Sequence, residues 1–139
     1  MVVFSALFLL GAGGDRSLEE RQLEAQEYID MINRGQQAYY VENGSFTNRI
    51  DELGLGIRTE TENYSYRIKA LEEERVLIIA IPKSRDLKSY AGAAFLLKVN
   101  GYYYATQAII CESDRPSSLP PFTAWVGEEV KCVFGSSQL

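Results

Sequence analysis

No histidine occurs among the 139 residues. That removes the commonest general base, the commonest metal ligand and every Ser-His or Cys-His nucleophile arrangement. The chain is therefore expected to be no enzyme and to carry no cofactor. Basic residues are outnumbered, with 14 Lys and Arg against 19 Asp and Glu for a formal charge of −5. They stand singly among acids, without the basic patch that neutralises a phosphate backbone, so nucleic acid is not an expected partner. Cysteine is scarce as well. Cys111 and Cys132 are too few for a four-ligand zinc site, and they are either two free core thiols or one disulfide. The segment between them, "ESDRPSSLPPFTAWVGEEVK", is rich in Pro, Ser and charge and has little apolar content of its own. A bridge closing a loop of that size contributes about 3 kcal/mol in the chain-entropy model, and it would place the protein in an oxidising, exported compartment.

A long hydrophobic run is also missing. "MVVFSALFLLGAGG", residues 1–14, is the only strongly apolar stretch, and it is shorter than the ~20 residues a membrane-spanning helix needs. It fits the apolar part of a secretory signal without the basic leader, or the lower half of a membrane helix whose beginning precedes residue 1. A buried strand is the plainer alternative.

From Asp15 to Glu42 the pattern is helical and no proline interrupts it. Leu18, Ala25, Tyr28, Ile29, Ile32 and Tyr39 recur at spacings of three, four and seven, which predicts one packing face. Ser17 followed by Glu20 fits a capping box, and Asn43-Gly44 supplies a left-handed stop. Such a helix would reach roughly 40 Å at ~1.5 Å per residue, longer than a small head needs for its own core. Thr47 is placed to cap a short turn through Ile50 and Leu53. Gly54 and Gly56 follow a helix rather than a strand, so they are no phosphate loop.

From residue 62 the period changes to two. "ENYSYRIKAL" alternates, "EEE" (72–74) turns, and "RVLIIAIP" reads as a strand buried on both faces. After a connection ended by Gly92, "AAFLLKVN" and "GYYYATQAII" form a hairpin at Asn100-Gly101. "EVKCVF" is a last short strand. The expected fold is α+β, a long N-terminal helix packed on a small antiparallel sheet of about four strands, with a C-terminal loop bounded by the cysteines. The expected division is an apolar segment 1–14 and a domain 15–139, comprising helix 15–42 and globular head 43–139.

Three further features have bland readings. Glu112, Asp114, Glu128 and Glu129 bracket the Cys-bounded loop, where calcium is conceivable but solvated acids are the ordinary case. "NGS" at 43 and "NYS" at 63 are short glycosylation matches of the kind that arise by chance. The nine tyrosines cluster at 39–40, 64–66 and 102–104, suited both to sheet packing and to an interface.

"EAQEYIDMINRGQQAYYVENGSFTNRIDELGLGIRTETENYSYRI", residues 24–68, resembles bacterial type IV pilins, most of all the pilin-like proteins of cyanobacteria labelled as G/H-type. The match runs through Asn33, Arg34, Gln36 to Tyr40 and Glu42 to Gly44, and the pair Cys111 and Cys132 is similar to the disulfide bounding the C-terminal loop of many pilins. The resemblance implies a long helix anchored in the inner membrane and a head outside it. The helix would act as an assembly spine, and the partners would be other pilin subunits or the filament assembly machinery. The family's processing signature, glycine followed by Phe-Thr-Leu-x-Glu, is absent from these residues, so no cleavage site and no assembly glutamate carry over. The alternatives are a pseudopilin of a type II secretion system, and a soluble or tethered periplasmic binding module that reuses the head.

Overall fold

A computed structural model describes residues 17–139. The chain forms one helix, α1 (Leu18–Asn43), a 3-10 turn over Ile50–Leu53, and seven strands: β1 (Tyr64–Leu71), β2 (Arg75–Pro82), β3 (Tyr90–Val99), β4 (Tyr102–Ser113), β5 (Thr123–Val126), β6 (Glu129–Cys132) and β7 (Ser136–Gln138). The main sheet is antiparallel in the order β1-β2-β3-β4-β7, and β5 and β6 form a separate hairpin. Segments 1–14 and 15–16 lie outside the described residues.

Helix α1 begins where its sequence says it should. The Ser17 hydroxyl accepts the Glu20 N–H at 3.1 Å, and the Glu20 carboxylate accepts the Ser17 N–H at 3.2 Å, satisfying two amides that the first turn otherwise leaves open. It ends at Gly44, whose φ of 73° lets its N–H reach the Tyr40 carbonyl at 2.8 Å. Asn43 is the last helical residue, and its side-chain amide donates to the Tyr39 carbonyl at 3.0 Å.

The helix lies across one face of the sheet. Ala25, Ile29 and Ile32 are buried there with Tyr64, Tyr66, Val76, Ile78, Tyr90 and Ala94. Gly92 is not a breaker but an interior residue of β3. A Cβ at that position would lie 2.6 Å from Ile29 Cγ2 and 2.8 Å from Asn33 Oδ1, so the missing side chain is what lets the helix seat this closely. Thr47 caps no turn either. Its hydroxyl binds the Glu52 carboxylate and accepts the Arg49 N–H, and Arg49 occupies the cap position without a side-chain bond.

The other face of the sheet holds a second core of Ile79, Ala91, Ala93, Phe95, Ile109 and Cys111, closed by Val130 of β6. The segment between the cysteines thus has more order than its composition suggests. Trp125 sets its ring edge-on to Phe95 at 5.8 Å, and the Cys111–Cys132 disulfide fastens the hairpin to β4. The expected four strands become a five-stranded sheet with a covering hairpin. Both extra strands, β5 and β7, are four residues or shorter, too short for a period of two to register.

Candidate functional site

Between α1 and the sheet runs a line of polar groups, each placed by the helix period. Near the start, Glu24 accepts hydrogen bonds from the Tyr66 hydroxyl (2.5 Å), the Thr61 hydroxyl (2.8 Å) and the Asn63 amide (3.0 Å). Arg21 completes this group by donating to Asn63 Oδ1 at 3.0 Å. One turn on, Glu112 of β4 accepts from the Tyr90 hydroxyl at 2.7 Å and receives Lys88 Nζ at 3.4 Å. Near the far end, Gln36 is fully buried and makes a two-way bond with Thr47, its amide donating to the carbonyl at 2.8 Å and its oxygen accepting the N–H at 3.0 Å. Asn33 donates to the Ile109 carbonyl at 3.0 Å. These bonds tie helix to head at three levels, and buried polar groups so paired fix one register rather than several.

Burial holds the Tyr64, Tyr66 and Tyr90 phenols above their ordinary pKa of 10.0, with the Glu24 and Glu112 carboxylates adding to the effect. A native pKa above the unfolded one means that the unfolded chain loses protons first as pH rises. Their stabilisation is therefore complete below pH 10 and declines above it. In an alkaline titration followed by phenolate absorbance, these three of the nine tyrosines are expected to ionise only as the chain unfolds. Ionisation of all nine in one step near pH 10, with the fold intact, would contradict this.

The predicted packing face needs two corrections. Ala25, Ile29 and Ile32 are buried and Tyr28 is partly so, its ring 4.9 Å from that of Tyr66. Leu18 is 42% exposed, because the first turn projects past the sheet. Tyr40, not Tyr39, meets the core, with its ring 4.9 Å from Phe46. A stripe advancing by three and four from Ile29 passes through Ile32, Asn33, Gln36 and Tyr40, and Tyr39 falls to its side. Asn33 and Gln36 were the residues missed. Their spacing from Ile29 and Ile32 was the available signal, masked by their polarity.

The acids around the Cys-bounded loop are not drawn together. Glu112 is held under the helix, Asp114 accepts the Ser137 hydroxyl at 2.7 Å, and Glu128 and Glu129 stand exposed at the β5–β6 turn. Among the described residues no group of three potential ligands surrounds a metal position.

Away from the sheet, α1 presents a second stripe. Leu23, Met31 and Val41 are exposed, and Met31 opens onto a largely apolar groove of about 420 Å³ with Gly35, Ala38, Tyr39, Leu53 and Leu55. A Cβ on Gly35 would sit 3.3 Å from Leu53 and Leu55, so this glycine brings the 3-10 segment against the helix.

The model of one protein family, described as type IV pilin-like G and H, matches residues 22–133. No curated protein and no solved structure matches the chain.

Proposed function

Because the chain belongs to the type IV pilin-like G and H family, we propose that it is a pilin or minor pilin. It is an exported structural subunit that builds a type IV pilus or a related secretion filament through α1. Its partners are other pilin subunits and the assembly machinery, and its work is packing rather than chemistry. No helix among the described residues is long and apolar enough to cross a membrane. Inner-membrane anchoring is assigned to segment 1–14, outside the described residues.

One observation carries this reading. The head uses only one stripe of α1, yet Leu23, Met31 and Val41 stay exposed on the remaining surface and continue into the groove at Leu53 and Leu55. A helix that served its own head alone would be polar there. A contiguous apolar stripe is expected where a partner packs.

The test is the double substitution Leu23→Glu and Met31→Glu in the cell of origin. Both sites are exposed, so the melting temperature should shift by less than about 0.5 kcal/mol would cause, while the protein disappears from the sheared filament fraction. Recovery of the unaltered protein only as a free periplasmic monomer would overturn the filament reading in favour of a binding module.

A further inference from the structure

The two outer strands of the main sheet are each half covered, and they are covered at the same end. On β1, residues 59–61 lie along Tyr64–Tyr66: the Tyr66 N–H donates to the Thr59 carbonyl at 2.8 Å and the Thr61 N–H to the Tyr64 carbonyl at 3.0 Å. On β4, β7 pairs with Cys111–Ser113, and the Leu139 N–H closes this cover on the Ile110 carbonyl at 2.9 Å. Beyond these points neither strand has a neighbour on its outer side among the described residues.

The register relates the two bare stretches. Tyr66 pairs with Ala80, Ala80 with Tyr90, and Tyr90 with Glu112, so the covered ends share one level. Leu71 pairs with Val76, Val76 with Ala94, and Ala94 with Ala108, so the bare ends share another. Three successive antiparallel pairings leave β1 and β4 running in opposite directions. A second copy displaced sideways without rotation would therefore bring its β1 antiparallel to β4, bare stretch facing bare stretch.

Side chains agree with this match. The open part of β4, "ATQA" from Ala105 to Ala108, is exposed at its ends and carries none of the charges, prolines or bulges that blunt a free edge. Outward-directed N–H and C=O groups recur every second residue. Since the Ile110 carbonyl points outward to Leu139, the Ala108 groups point outward too. Across the gap, Arg67 and Lys69 of β1 face a β4 border on which Glu129 stands exposed at the mouth of a groove of about 490 Å³. The sheet edge of one copy thus meets basic residues where the other presents an acid. Within one copy Lys69 rests over the Phe122 ring at 5.3 Å, on the same side as the hairpin.

We propose that heads associate edge to edge, β1 of one copy extending the sheet of the next at β4 over Ala105–Ala108. The contact is heterologous and does not close on itself, so it propagates as a row. It leaves the helices of successive copies parallel, as a shared spine requires. This inference rests on the filament reading and names a surface that reading does not use.

Full-length protein carrying Leu71→Cys and Ala108→Cys together, treated with a short thiol-specific cross-linker, should yield dimers, trimers and higher rungs on a denaturing gel. Each single variant should yield none beyond trace dimer. Both positions are exposed, and melting curves matching the parent's establish that the variants fold. Ala108→Pro added to the pair should erase the rungs, since its lost N–H serves no bond inside the sheet. No ladder from the double variant overturns edge pairing. If light scattering on the same sample still shows association, the filament reading survives without it, and if there is no association in any form, both fall.

Discussion

Ile32→Asp is expected to abolish the folded head. Ile32 is fully buried beneath α1, among Ile29, Tyr64 and Ile78. Removing the branched side chain alone costs about 2–5 kcal/mol. A carboxylate in that apolar seat adds a desolvation penalty of several kcal/mol, or gives up its charge to avoid it. The sum is comparable to the roughly 5–15 kcal/mol that holds a domain together. Circular dichroism should show loss of cooperative melting at room temperature. Ile32→Ala should fold with a lowered transition, separating the charge from the cavity. An unchanged melting curve for the aspartate variant would mean that α1 presents another face.

Cys111→Ser is expected to lower stability by about 3 kcal/mol, on the order of 10 °C in melting temperature for a chain of this size. Cys111 is fully buried on β4, and its bond to Cys132 spans a sequence separation of 21. The loss should be local first. The disulfide fastens the hairpin over the second core, so amides of β5 and β6 should exchange faster while those of α1 keep their protection. Reduction of the unaltered protein should reproduce both effects. A melting temperature indifferent to reductant would show that Val130 and the Trp125–Phe95 contact hold the hairpin unaided.

How much of this was legible depended on the range of the forces involved. Capping of α1 at Ser17 and Glu20 and its stop at Gly44 are bonds within one turn, so neighbouring residue types specify them. The same holds for the β3–β4 turn, where Asn100 and Gly101 take φ of 54° and 84°, the left-handed pair that a tight hairpin demands. The four longer strands showed through their alternation. The short β5 and β7 did not, because their order comes from what they touch. Gly92 was misread for a related reason. A glycine in a strand looks like a break until the helix that presses on it is known.

The candidate site divides the same way. Ala25, Ile29 and Ile32 announce themselves as apolar residues at helical spacing, whereas Asn33 and Gln36 become interior only because Ile109 and Thr47 bring carbonyls to meet them. Glu24 reads as one more surface acid until Tyr66, Thr61 and Asn63 converge on it from residues far along the chain.

By itself the sequence determined a long capped helix followed by an antiparallel head, the absence of imidazole chemistry, and the family. Each of these rests on residue type and local spacing. Tertiary structure decided which side of α1 is left for a partner, that the cysteine-bounded segment covers a second core, and that both sheet edges lie bare at one level. Those are properties of surfaces assembled from distant segments. Burial and edge exposure exist only once the helix, the sheet and the hairpin have excluded water from one another.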